Sequence, residues 1–137
     1  MSASKNRAAE PAGLPQCAEW RDRMLEAVVI AGALIGRHNG RLPAAARMRL
    51  LVECRRSLLL AQPPQLDVLG LLDRRLPMLA DRAAARRLVS RTMRDFVGTP
   101  WAPVVLDLAL AIAHGDSPPR GSAADAVKLV RLALGLP

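Results

Sequence analysis

Apolar residues along this chain recur at helical spacing, and the two densest apolar stretches stand far apart in sequence. The first lies in a predicted helix over 17–37, where Met24, Val28, Ala31 and Ile35 form one stripe and Leu25, Val29 and Gly32 lie beside it. From Ala27 onward nearly every position is apolar, the pattern of a helix at the middle of a bundle. Asn39 and Gly40 end it, since both tolerate a left-handed backbone. Pro43 suits the first turn of the next helix, predicted over 43–60, because its missing N–H costs nothing there. That helix is expected to turn Ala44, Met48, Leu51, Val52, Leu58 and Leu59 inward and Arg47, Arg49, Arg55 and Arg56 outward.

Pro63 and Pro64 close this element, and a shorter helix over 65–76, with Leu66, Leu69 and Leu72 at helical spacing, is interrupted at Pro77. Asp81 has the chemistry of an N-cap for a helix whose apolar face is Ala85, Leu88, Val89, Met93, Phe96 and Val97. Gly98 ends that helix, Thr99 and Pro100 start another, and 101–113 is the second nearly all-apolar stretch, broken only by Asp107. After His114 and Gly115 the sequence DSPPRG stops the helix, and Ser122 with Asp125 three residues on resembles a capping box. The last helix carries Val127, Val130 and Leu134 on one stripe and stops at Gly135. The chain therefore reads as all-α, a single compact bundle of about six helices. Each apolar helix hands over to an amphipathic partner through a loop containing His and Gly, which gives two pseudo-repeated helical hairpins.

A length of 137 residues suits one domain with a buried core. Trp20, Phe96 and Trp101 are its only aromatic residues, so that core is built from aliphatic side chains. The opening MSASKNRAAEPAGLPQ lacks the apolar segment of a secretory signal. It is expected to be a disordered leader over 1–16, ahead of a domain over 17–137. The longest uncharged apolar run, 27–36, is about half the ~20 residues that span a bilayer, so no membrane span and a cytoplasmic location are expected. Cys17 and Cys54 are too few for a disulfide framework or an all-cysteine metal site. No nucleophile elbow, Gly-rich phosphate loop, His-Glu-x-x-His or Cys-x-x-Cys motif occurs, and binding rather than enzyme chemistry is expected.

The net charge of +8 changes this picture only in part. It raises nucleic acid as a partner. Lys5 and Lys128 are the only lysines among 20 basic residues, however, and an arginine and alanine excess also follows from coding DNA rich in G and C. With so few aromatic side chains for base stacking, contact with a duplex backbone or with an acidic protein is what remains.

The segments ALIGRHNGRLPAAARMRLL and LALAIAHGDSPPRGSAADAVKLVRLALGLP resemble the two hairpins of the TerB tellurite-resistance family. The resemblance covers roughly 20–137. It implies a helical bundle, a stress-associated role, and a divalent-metal or charged-ligand site made from acidic loop and first-turn residues. Here Asn39 stands where the family's first loop has Asp, Ala46 near its expected Glu, and His114 at the second Asp, while Asp116 is displaced by two places. Asp125 corresponds only across the inserted PPRGS. The turn geometry carries over and most of the acidic ligands do not.

Two sets of side chains are candidate sites. His38 and His114 lie in corresponding loops and, with Asp116, form a two-nitrogen, one-carboxylate set of the kind divalent metals accept. As structural residues, histidines at helix C-termini simply complement the negative end of the dipole. Arg87, Arg91 and Arg94 share a helix face near Arg74 and Arg75 and would meet an acidic protein partner. As a solvated face, the same row would pair locally, Arg91 with Asp95. Three functions follow from these sets: a binding module for an acidic partner, a divalent-metal binding or sensing domain, and a nonspecific duplex binder. No cofactor other than that metal is implied.

Overall fold

The run 27–36 has no polar side chain to keep at the surface, and every one of its residues is buried. The computed structural model describes residues 18–56, 67–115 and 117–137. Among them are six α-helices: α1 (Ala18–Gly36), α2 (Ala44–Arg56), α3 (Val68–Arg75), α4 (Arg82–Met93), α5 (Ala102–His114) and α6 (Ser122–Ala133). Two 3-10 turns, Leu76–Leu79 and Arg94–Phe96, follow α3 and α4. No helix is long and apolar enough to cross a membrane, and no strand occurs, among the described residues. The expected leader over 1–16, the predicted helix end over 57–60 and Asp116 lie outside them.

The core is a seam between the two apolar helices, with the amphipathic helices laid around it. α5 buries Ala102, Val104, Val105, Leu106, Leu108, Ala109, Ile112 and Ala113, the counterpart of the buried half of α1. Small residues let the two backbones come close. A Cβ placed on Gly32 would lie 3.4 Å from Ile112 Cγ2, and one on Gly36 would lie 3.0 Å from both Cα and Cβ of Ala113. Because the order 32, 36 on α1 matches 112, 113 on α5, the two helices run in the same direction, and both C-termini reach one end of the bundle. α4 and α6 flank α1, and α2 packs on α5.

Helix ends follow the local chemistry. The Asp67 carboxylate accepts from the Gly70 amide at 2.8 Å, and Asp81 accepts from the Ala84 amide at 2.8 Å, so both residues cap their helices. Asn39 (φ 53°) and Gly40 (φ 75°) both take the left-handed conformation. They form a two-residue turn between His38 and Arg41, whose amides donate to each other's carbonyls at 2.7 and 3.1 Å.

Three expectations are corrected. α2 faces the core through Ala46, Leu50, Glu53 and Cys54, while Met48 and Val52 are exposed, so it is turned nearly half a rotation from the predicted face. The small Ala46 and Cys54 permit close packing, and the rotation delivers Arg49 to the end of α5. Ser122 and Asp125 form no capping box, because Gly121 is the N-cap and carries no side chain to accept a bond. Val97 is 49% exposed, because the 3-10 turn Arg94–Phe96 breaks the α-helical register that would have brought it inward.

Candidate functional site

The parallel α1 and α5 bring the loops that follow them to the same end of the molecule. His38 is exposed in the α1–α2 turn, and His114 is the last residue of α5, half-buried, with its Nε2 shielded from solvent and without a hydrogen-bond partner. The second loop is organised by an arginine: Arg49 of α2 donates from Nε to the Ile112 carbonyl at 2.8 Å and from Nη2 to the Ala113 carbonyl at 2.9 Å. Two carbonyls left over at the end of α5 are thereby satisfied by a cation at the negative end of its dipole. Among the described residues no group of three or more His, Cys, Asp and Glu side chains is placed to hold a metal ion. Asp116, the expected third ligand beside His38 and His114, is outside those residues. The loop geometry therefore has a structural account in the left-handed pair Asn39-Gly40 and in the Arg49 cap.

The arginines divide into those held inside the fold and those left on its surface. Arg75 forms a two-bond pair with Glu26 of α1, its Nη2 donating to Oε1 at 2.9 Å and its Nε to Oε2. Hydrogen bonding to Glu26 holds the guanidinium above its ordinary range, against burial and aided by the carboxylate charge. Arg47 donates to Asp73 at 2.8 Å. Asp95 pairs with Arg23 of α1 at 3.4 Å instead of with Arg91, because the chain tightens into the 3-10 turn between them. Arg74, Arg87, Arg91 and Arg94 are exposed, and no ion pair engages them among the described residues.

A second basic feature was not legible from helix faces alone. Arg82 and Arg86, one turn apart on α4, stand with Arg37 at the end of α1 and Lys128 on α6 around a cleft of about 380 Å³. Leu34, Ala85, Ala126 and Leu129 give it apolar walls, and Ser122 and Asp125 bring in the first turn of α6. The Arg37 guanidinium is anchored by a bond from Nη1 to the Leu79 carbonyl. A neighbouring hollow of about 500 Å³, lined by His38, Asn39 and Gly40, shares Leu34, Arg37, Ser122 and Ala126 with it. These cations come from three helices far apart in sequence, so only the tertiary packing assembles them.

Cys54 illustrates a group with the opposite character. Burial, and then the charge of neighbouring Glu53, push its thiol up to about 11 from an ordinary 9.0. The folded protein thus favours the neutral thiol. Its contribution to stability is complete below the unfolded value near 9 and is lost as pH rises through 11. At pH 8 the thiolate population is about a hundredfold below that of an unfolded cysteine. A brief iodoacetamide pulse should leave the Cys54 peptide unlabelled in native protein and label it fully in urea. Equal labelling rates in the two states, read by mass spectrometry, would contradict this.

No family model, curated protein or solved structure matches the chain.

Proposed function

We propose that this protein is a non-enzymatic binding module, TerB-like in its paired hairpins, that meets an acidic protein partner through the outer face of α4. The observation that supports this reading is the charge pattern around that helix. Arg87, Arg91 and Arg94 are exposed and unengaged, while the two flanking acids are occupied, Asp81 as the cap and Asp95 by Arg23. Among the described residues no ion pair neutralises the face, and Arg74 adds a further exposed cation on α3. Arg75, held by Glu26, takes no part in it.

The test uses a fluorescent poly-L-glutamate peptide as the acidic probe, titrated at two salt concentrations. Binding should weaken with salt. Neutralising Arg87, Arg91 and Arg94 together to Gln should lower affinity by about tenfold or more, at up to ~1 kcal/mol for each exposed pair. Unchanged affinity in the triple variant would sink the reading. Tighter binding to a random-sequence DNA duplex, with a steep salt dependence, would replace it with nonspecific nucleic-acid binding.

A further inference from the structure

We infer that the cleft between the end of α1, the start of α4 and the start of α6 is a binding site for a small phosphorylated molecule with an apolar body. The site is separate from the outer face of α4 and does not depend on the partner proposed for that face.

Charge is the first argument. Among the described residues, Arg37, Arg82, Arg86 and Lys128 line the cleft against the carboxylate of Asp125, an excess of three positive charges in one concavity. No ion pair engages any of the four among the described residues. Cations crowded this way repel one another, and a dianion relieves that repulsion more completely than a monoanion. Three of the four are guanidinium groups, whose forked donors match the oxygens of a phosphoryl group in two-bond geometry. Arg37 is already held by the Leu79 carbonyl, which reduces the ordering that binding would require.

Shape and backbone add to it. The volume of about 380 Å³ falls within the range of small-molecule sites. Leu34 and Leu129 supply apolar wall for the rest of the ligand. Ser122 of α6 lines both the cleft and the adjoining hollow, and α6 begins without a side-chain cap because Gly121 (φ 59°) is its N-cap. The Ala123 amide donates to the Arg120 carbonyl at 3.1 Å, but no side chain caps this 12-residue helix, so its positive end at Ser122 stays open toward the cleft.

The experiment is an NMR titration of the full chain with phenyl phosphate at constant ionic strength, following the amides of Ser122, Ala123 and Ala124 and the Nε–H signals of Arg37, Arg82 and Arg86. Saturable shifts at these groups are expected, absent with phenol. The double variant R82Q/R86Q should weaken binding about tenfold, and K128Q should weaken it in the same direction. R87Q/R91Q/R94Q should leave it within about twofold, which separates this site from the outer face. All three variants alter exposed side chains, so their amide spectra should report a native fold. Shifts that do not saturate, that sodium chloride reproduces, or that the outer-face variant abolishes as completely as the cleft variant would overturn the inference. Failure of poly-glutamate binding with phenyl phosphate binding intact would discard only the acidic-protein reading.

Discussion

Replacing Gly36 with valine is expected to destabilise the fold by about 3 kcal/mol, lowering the melting temperature by roughly 10 °C. The first carbon added would already sit 3.0 Å from Ala113 Cα, Ala113 Cβ and Leu42 Cδ1. One of these is backbone in the last turn of α5, where the C-terminal ends of the two helices touch, and it cannot yield without moving the end of α5 away from α1. Valine then adds two further methyl groups with no space to occupy. A better helix propensity than glycine offsets only some tenths of a kcal/mol. Gly32 provides the control. Its nearest neighbour is the Ile112 Cγ2 methyl at 3.4 Å, a side-chain group that can shift, so Gly32→Ala should be close to neutral. Thermal melts of the two variants test the pair. If G36V melts within about a degree of the parent, the approach of the two helices is looser than the structure shows.

Much of the fold was legible because apolar runs report burial directly. The stripes of α1, α4 and α6 read from sequence are the buried ones except at Val97, and Asp81 and Gly135 stand at the ends they were expected to mark, while α4 stops at Met93 and a 3-10 turn covers Arg94–Phe96 ahead of Gly98. α2 was misread for a physical reason. Its buried face is Ala46, Leu50, Glu53 and Cys54, of which only Leu50 is a large apolar residue, while Met48 and Val52 face outward, so apolar side chains stood on both sides and the pattern pointed to the wrong one. The same rotation explains Arg49, expected to be solvated and found capping α5. For charged side chains, helical spacing gave the direction of projection and nothing about partners. Arg87, Arg91 and Arg94 could be placed on one exposed face. That Arg75 would be held by Glu26, 49 positions away, could not. The cleft of Arg37, Arg82, Arg86 and Lys128 lay beyond sequence reading for the same reason, since its cations converge only when α1, α4 and α6 pack.

Phe96→Ala should cost about 3–5 kcal/mol, the largest effect of any single substitution considered. Phe96 is the chain's only phenylalanine, is fully buried, and has its ring centroid 5.0 Å from that of Trp20 at a 57° tilt. The core around it is mostly aliphatic, with Trp101 buried and Trp20 packed at its edge, and side chains already packed against the ring would have to shift to fill the space it leaves. The position also has a backbone role: its carbonyl accepts from the Thr99 hydroxyl at 2.7 Å and from the Thr99 amide at 3.1 Å, which turns the chain from α4 toward α5. Alanine keeps those carbonyl bonds and removes only the ring, so the loss reports packing. Urea unfolding should show a lower midpoint with an unchanged slope, and Phe96→Leu should recover more than half of the loss by refilling most of the volume. Native-state tryptophan emission should shift in F96A because Trp20 loses its ring partner. A loss below about 1 kcal/mol, with emission unchanged, would mean that the ring lies at a yielding edge of the core and that the contact between the start of α1 and the end of α4 is not what fixes their register.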